Sequence, residues 1–80
     1  MQYYIDTIEQ VKGENDSINE YGQREKVSTE SLALSKYYTK LANVAADMDK
    51  NHYYMDIKIM NSDGGCIKKD KLGTYHEAEE

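Results

Sequence analysis

Eighty residues and 9.2 kDa make one small domain, and ten basic against fifteen acidic side chains give a formal net charge of −5. That balance argues against a nonspecific nucleic-acid binder, which needs clustered positive charge to displace counterions. No apolar run reaches the roughly 18 residues of a membrane span, and a single cysteine excludes an internal disulfide framework or a multi-thiolate metal site. Met1-Gln2-Tyr3-Tyr4-Ile5-Asp6 lacks the basic-then-apolar layout of a signal peptide, so a cytoplasmic location is expected.

Ile, Val and Leu total 13, with no Phe, which is thin for a packed core; eight tyrosines, four methionines and five alanines shift the balance back towards folding. Tyr is the only aromatic residue type. Its ring buries much apolar area, but its hydroxyl needs water or a partner. The sequence therefore predicts a shallow core with ring edges at the surface, in a chain of a size that gains from dimerisation or partner binding.

In chain order, Tyr3 to Val11 alternates as a strand, with Tyr3, Ile5, Thr7 and Val11 on one face and Glu9 as the exception there. Lys12-Gly13-Glu14-Asn15-Asp16 is a turn cluster. Residues 17–23 form a short edge strand returning from it, and a polar loop follows. Residues 30–49 carry Leu34, Tyr37, Tyr38, Leu41, Val44, Ala45 and Met48 at spacings of three and four, the apolar stripe of an α-helix. Ser28 or Thr29 can cap its start, and Asn51 can take a left-handed conformation at its end. Tyr53 to Met60 is the strongest strand, with Tyr53, Met55, Ile57 and Ile59 on one side. Asn61-Ser62-Asp63-Gly64-Gly65 is a hairpin turn, and Cys66 to Leu72 returns as a fourth strand with Lys68, Lys69 and Lys71 protecting an edge.

The expected fold is α+β: a single ββαββ domain over residues 1–76, with residues 77–80 an acidic tail. Strands 1 and 3 carry the most apolar residues and belong in the centre, which gives a four-stranded antiparallel sheet of order 2-1-3-4. One helix covers one face of it.

Little in the chain points to catalysis. The Asn61–Gly65 turn lacks the following helix of a phosphate loop. His52, His76 and Cys66 fall short of a zinc site's ligand set, and Cys66 is expected to be a small, partly buried residue. Asp6 and Asp56 can face each other on the central strands, but uncovered they stay solvated and ionised, with Lys58 as a cross-strand partner. Neither enzyme activity nor a cofactor is expected.

The informative feature is the sheet face that the helix leaves open. If Tyr3, Ile5, Met55, Ile57 and Ile59 meet the helix, then Tyr4, Asp6, Ile8, Tyr54, Asp56 and Met60 face away from it. Tyr and Met suit docking surfaces. Glu14, Asp16 and Glu20, with the other acids of residues 1–30, form a second candidate surface, suited to a basic partner.

Tyr3-Tyr4-Ile5-Asp6-Thr7, Leu41-Ala42-Asn43 and Ile59-Met60-Asn61-Ser62-Asp63-Gly64-Gly65 together resemble short uncharacterised proteins of gut Firmicutes and their phages and conjugative elements. The resemblance implies a mobile-element context, in which small acidic proteins resemble inhibitors of host defence, including anti-CRISPR proteins. The expectation is a non-enzymatic binding module for a protein partner, such as a nucleic-acid-binding effector, without direct binding to nucleic acid or membrane. Two alternatives stand beside it. One is a self-associating homodimer closed by packing of open faces. The other is a small-ligand binder using the Tyr-rich face.

Overall fold

The computed structural model describes residues 2–48 and 50–77. β1 (Tyr3–Lys12) and β2 (Ile18–Val27) form a hairpin, α1 (Glu30–Asp47) follows, and β3 (His52–Asn61) and β4 (Cys66–Gly73) form a second hairpin. All neighbouring strands are antiparallel and the order is β2-β1-β3-β4, as the apolar content of strands 1 and 3 predicts. One helix over one sheet gives a slab 43 × 27 × 16 Å.

The turn between β1 and β2 is tightened by positive φ at Asn15 and Asp16, which these residue types tolerate. β2 runs to Val27, beyond the expected end at residue 23, because ten successive residues pair with β1 without a bulge. Val27 is the one buried side chain of that strand, sealing the core's edge, while the other nine are exposed. Thr29 caps α1 by accepting from the Leu32 amide at 3.2 Å, and Glu30 complements the positive first turn.

The core joins Ile5, Met55, Ile57 and Ile59 of the sheet to Ala33, Tyr37 and Val44 of the helix, with Tyr3, Leu34, Leu41, Met48 and Leu72 packed around them. The helix lies mainly over β3, less over β1 and less again over β2. That placement rotates the expected stripe. Ala33 is inside, whereas Tyr38 is 51% exposed and Ala45 also faces out. Tyr37 is fully buried because its hydroxyl donates to an Asp70 carboxylate on β4, so burial and that bond together raise its pKa. Lys68 sits over the Tyr37 and Tyr38 rings, with Nζ 5.8 and 5.5 Å from the centroids.

The end of α1 differs from expectation. Met48 leaves the helix in extended conformation and Asn51 is not left-handed; its amide donates to the Asp47 carbonyl at 3.2 Å. Asp49, the last residue of the expected helix, and residues 78–80 of the expected tail lie outside the described residues, while Glu77 is exposed. Cys66 is exposed rather than partly buried.

Candidate functional site

The pairing register arranges the open face as rows running from β2 to β4. Lys26, Tyr4, Met60 and Cys66 form one row; Arg24, Asp6, Lys58 and Lys69 the next; then Gly22, Ile8, Asp56 and Lys71; then Glu20, Gln10, Tyr54 and Gly73. All six face residues read from the sequence, Tyr4, Asp6, Ile8, Tyr54, Asp56 and Met60, lie on this side.

Asp6 and Asp56 are not opposite each other. Asp6 faces Lys58, and Asp56 faces Ile8. Asp6 is held by Arg24, which donates from Nε at 2.6 Å and from Nη2 at 2.7 Å. That bidentate bond draws the Asp6 pKa below its ordinary value, against a smaller opposing effect of burial, with Lys58 a minor contributor. The same guanidinium lies 4.8 Å from the Tyr4 ring centroid. Arg24 lies just beyond the edge strand expected over residues 17–23, so alternation within that span does not reach it. Extending the hairpin register by one step sets it opposite Asp6.

Gly22 contributes no side chain beside Ile8, and Ile8 remains 45% exposed on a central strand. Asp6, Thr7, Ile8, Gly22, Gln23, Arg24, Asp56 and Lys58 surround a shallow depression of about 440 Å³ there. It has an apolar floor and walls of both charges.

The fourth row is not open. Past Gly73 the chain crosses the sheet as a strap. Gly73 has φ +74, and a Cβ there would lie 2.2 Å from the Tyr53 carbonyl oxygen, so glycine is needed on both counts. The Gln10 amide then clamps the strap's backbone: Gln10 Nε2 donates to the His76 carbonyl at 2.7 Å, and the His76 amide donates to Gln10 Oε1 at 2.8 Å. Tyr75 packs edge-on against Tyr54, ring centroids 5.1 Å apart, and its hydroxyl donates to Glu20 at 2.9 Å. Tyr54 is therefore buried, although it lies on the face the helix leaves bare. Burial, and then the neighbouring Asp56, raise its pKa. The signal for the strap was present in Tyr75 and His76, two ring-bearing residues in what otherwise reads as a polar end.

The candidate acidic residues separate. Glu20 anchors the strap through Tyr75 and Gln10. Asp16 lies at the β1–β2 turn, 3.3 Å from Lys12, and Glu14 opens the 3₁₀ turn beside it. Asp16 and Glu20 meet across a groove of about 860 Å³ lined also by Gln10, Ile18, Tyr75 and His76. Glu25 pairs with Lys36 on the helix side. Glu9 is buried under the helix and faces Lys40 and His52 Nε2, each at 3.1 Å, while His52 Nδ1 meets Asp47 at 2.6 Å. This chain of polar contacts fastens the end of α1 to the start of β3, and the bond to His52 lowers the Asp47 pKa. It explains how Glu9 sits on the apolar face of β1. Among the described residues no three or more His, Cys, Asp or Glu side chains are grouped to hold a metal ion.

No protein-family model matches the chain, no curated protein matches its sequence, and no solved structure matches its fold.

Proposed function

We propose that this chain is a non-enzymatic binding module that takes a protein partner on its open sheet face. The observation that carries the reading is the depression over Ile8, where an exposed aliphatic side chain on a central strand is ringed by the Arg24–Asp6 pair and by Asp56 and Lys58. An apolar floor with a charged rim is the layout of a small protein-docking site. The face carries five cations (Arg24, Lys26, Lys58, Lys69, Lys71) against three anions (Asp6, Glu20, Asp56), although the whole chain is negative. A partner segment bearing an aliphatic side chain flanked by carboxylates fits that arrangement. Two copies meeting face to face would instead bring together two surfaces of net positive charge.

A narrower proposal makes the partner a nucleic-acid-binding effector of host defence, such as a CRISPR nuclease, inhibited by this chain. It rests on the resemblance to mobile-element proteins and on the net charge of −5. Because Glu9, Glu20 and Glu25 are engaged within the chain, the sheet face supports binding better than the acids of residues 1–30 do.

The test is affinity capture from a host lysate with the native chain and an Ile8→Lys variant, followed by titration of the captured protein against each. Circular dichroism checks that the variant is folded. The expected result is at least tenfold weaker binding by Ile8→Lys and unchanged binding by Glu14→Gln/Asp16→Asn. Equal binding by the native chain and Ile8→Lys would overturn the face as the working surface. Loss confined to the acidic variant would move the site to the β1–β2 turn.

A further inference from the structure

The sheet has two edges, and they are built differently. β4 pairs with β3 through a bulge between Ile59 and Met60 and carries Lys68, Lys69 and Lys71 against one Asp70. Bulges and lysines are the devices that keep an edge from pairing. β2 has neither a bulge nor a proline: ten consecutive residues are in register with β1, and nine of the ten are exposed. Its charges balance, with Glu20 and Glu25 against Arg24 and Lys26. Along its helix side, α1 stops short, leaving a cleft of about 350 Å³ bordered by Glu25, Val27, Leu32 and Lys36.

We infer that β2 pairs edge to edge with β2 of a second copy, antiparallel, about a two-fold axis at Gly22, forming one continuous eight-stranded sheet. Side restricts the axis to a residue, and charge is met by a centre on Gly22, with Glu20 opposite Arg24, and also by one on Gln23, with Glu20 opposite Lys26; Gly22 is the register put to the test. A two-fold that keeps both helices on the same side requires residues of the same parity to be opposite each other. Centred on Gly22, this sets Glu20 opposite Arg24 of the second copy on the open side. On the helix side it sets Asn19 opposite Glu25 and Tyr21 opposite Gln23 of the second copy. No like charges meet. Shifting by half a step to centre between Gly22 and Gln23 sets Glu20 against Glu25 and reverses one helix. The chain by itself requires no glycine at position 22: its φ is ordinary and an added Cβ would meet nothing within 4 Å. At the axis Gly22 puts no side chain on the open side between the two Glu20–Arg24 pairs.

This pairing uses the β2 edge, which shares Gly22 and Arg24 with the depression over Ile8; it is read by mass and cross-linking of the chain alone, so its failure is distinguishable from failure of the partner site, which Ile8→Lys tests. It places two copies of that face side by side on one sheet, which makes the module bivalent.

The test is a cysteine scan on the Cys66→Ser background, with light scattering of the unmodified chain. Directly opposite residues in an antiparallel pair have Cα atoms roughly 4.5–5.5 Å apart, within disulfide reach. Under mild oxidation Gly22→Cys is expected to cross-link fully, and Gln23→Cys and Met60→Cys only marginally. Light scattering is expected to give twice the 9.2 kDa chain mass. Arg24→Glu and Glu20→Arg each set like charges across the pair and are expected to give monomer; the double variant Glu20→Arg/Arg24→Glu restores the dimer. Circular dichroism confirms that each variant is folded. If Arg24→Glu unfolds through loss of its bond to Asp6, or Glu20→Arg through release of the strap that it holds by Tyr75 and Gln10, the cysteine scan decides. A monomer at every concentration overturns the inference. So does dominant cross-linking at Gln23→Cys, which moves the axis, or at Met60→Cys, which means face-to-face packing.

Discussion

Tyr37 is where the composition of this chain meets its stability, since a tyrosine fills the place that a phenylalanine holds in most small cores. Its ring is fully buried against the sheet and its hydroxyl is spent on Asp70. Tyr37→Phe keeps the ring and removes one hydrogen bond to a charged acceptor. Such bonds are worth about 1.5–3 kcal/mol. Asp70 is only half-buried, so water takes over the vacated carboxylate oxygen and the expected loss falls just below that range, about 1–1.5 kcal/mol. Tyr37→Ala also empties the ring's volume and is expected to cost about 3–5 kcal/mol. Urea unfolding, with Tyr37→Phe near one third of the Tyr37→Ala loss at unchanged slope, checks both. The pH dependence supplies a second reading. The Tyr37 pKa is raised in the folded state, so its contribution is fully present below the ordinary tyrosine value of 10.0 and is lost as pH rises through the higher folded value. Tyr37→Phe is expected to flatten that part of the alkaline fall in stability, leaving the smaller share of Tyr54 and Tyr75, whose pKa values are also raised. A Tyr37→Phe variant as stable as the native chain, with the same alkaline fall, would refute the view that the hydroxyl is held by Asp70.

Two other predictions follow from the open face. Arg24→Gln removes the bidentate bond that lowers the Asp6 pKa, so the Asp6 carboxyl is expected to titrate nearer its ordinary 3.8, followed by carbon NMR. The stability that Asp6 contributes is present above that value and lost as pH falls through its lower folded pKa, so the variant is expected to lose this acid-sensitive component; an unchanged Asp6 titration would contradict the pairing. Gly73→Ala forces a Cβ against the Tyr53 carbonyl at a left-handed φ and is expected to detach the strap while the four strands stay paired. Hydrogen exchange at the His76 amide is expected to speed up by at least tenfold while β3 amides stay protected. Unchanged exchange at His76 would show that the clamp by Gln10 does not depend on the turn at Gly73.

The sequence by itself determined the element order, the strand order and the two sides of the sheet. Period-2 alternation in β1 and β3 assigns each side chain a side whatever packs on it, and the concentration of Ile, Tyr and Met in those two strands puts them in the centre. Local turn chemistry marked both hairpins for the same reason: it depends on neighbours in the chain. Only the tertiary structure decided what depends on distant segments. Glu9 sits on the apolar side because Lys40 and His52, from the helix and β3, arrive beside it. Tyr38 faces out and Ala33 in because the helix settles over β3 and β1, leaving little room for a ring where Ala33 lies. Tyr54 is on the predicted face and yet buried, because Tyr75 folds back on it from twenty-one positions along the chain. Alternation fixes the side of a strand to which a residue points; whether that side meets solvent is set by segments whose separation in sequence carries no periodic signal.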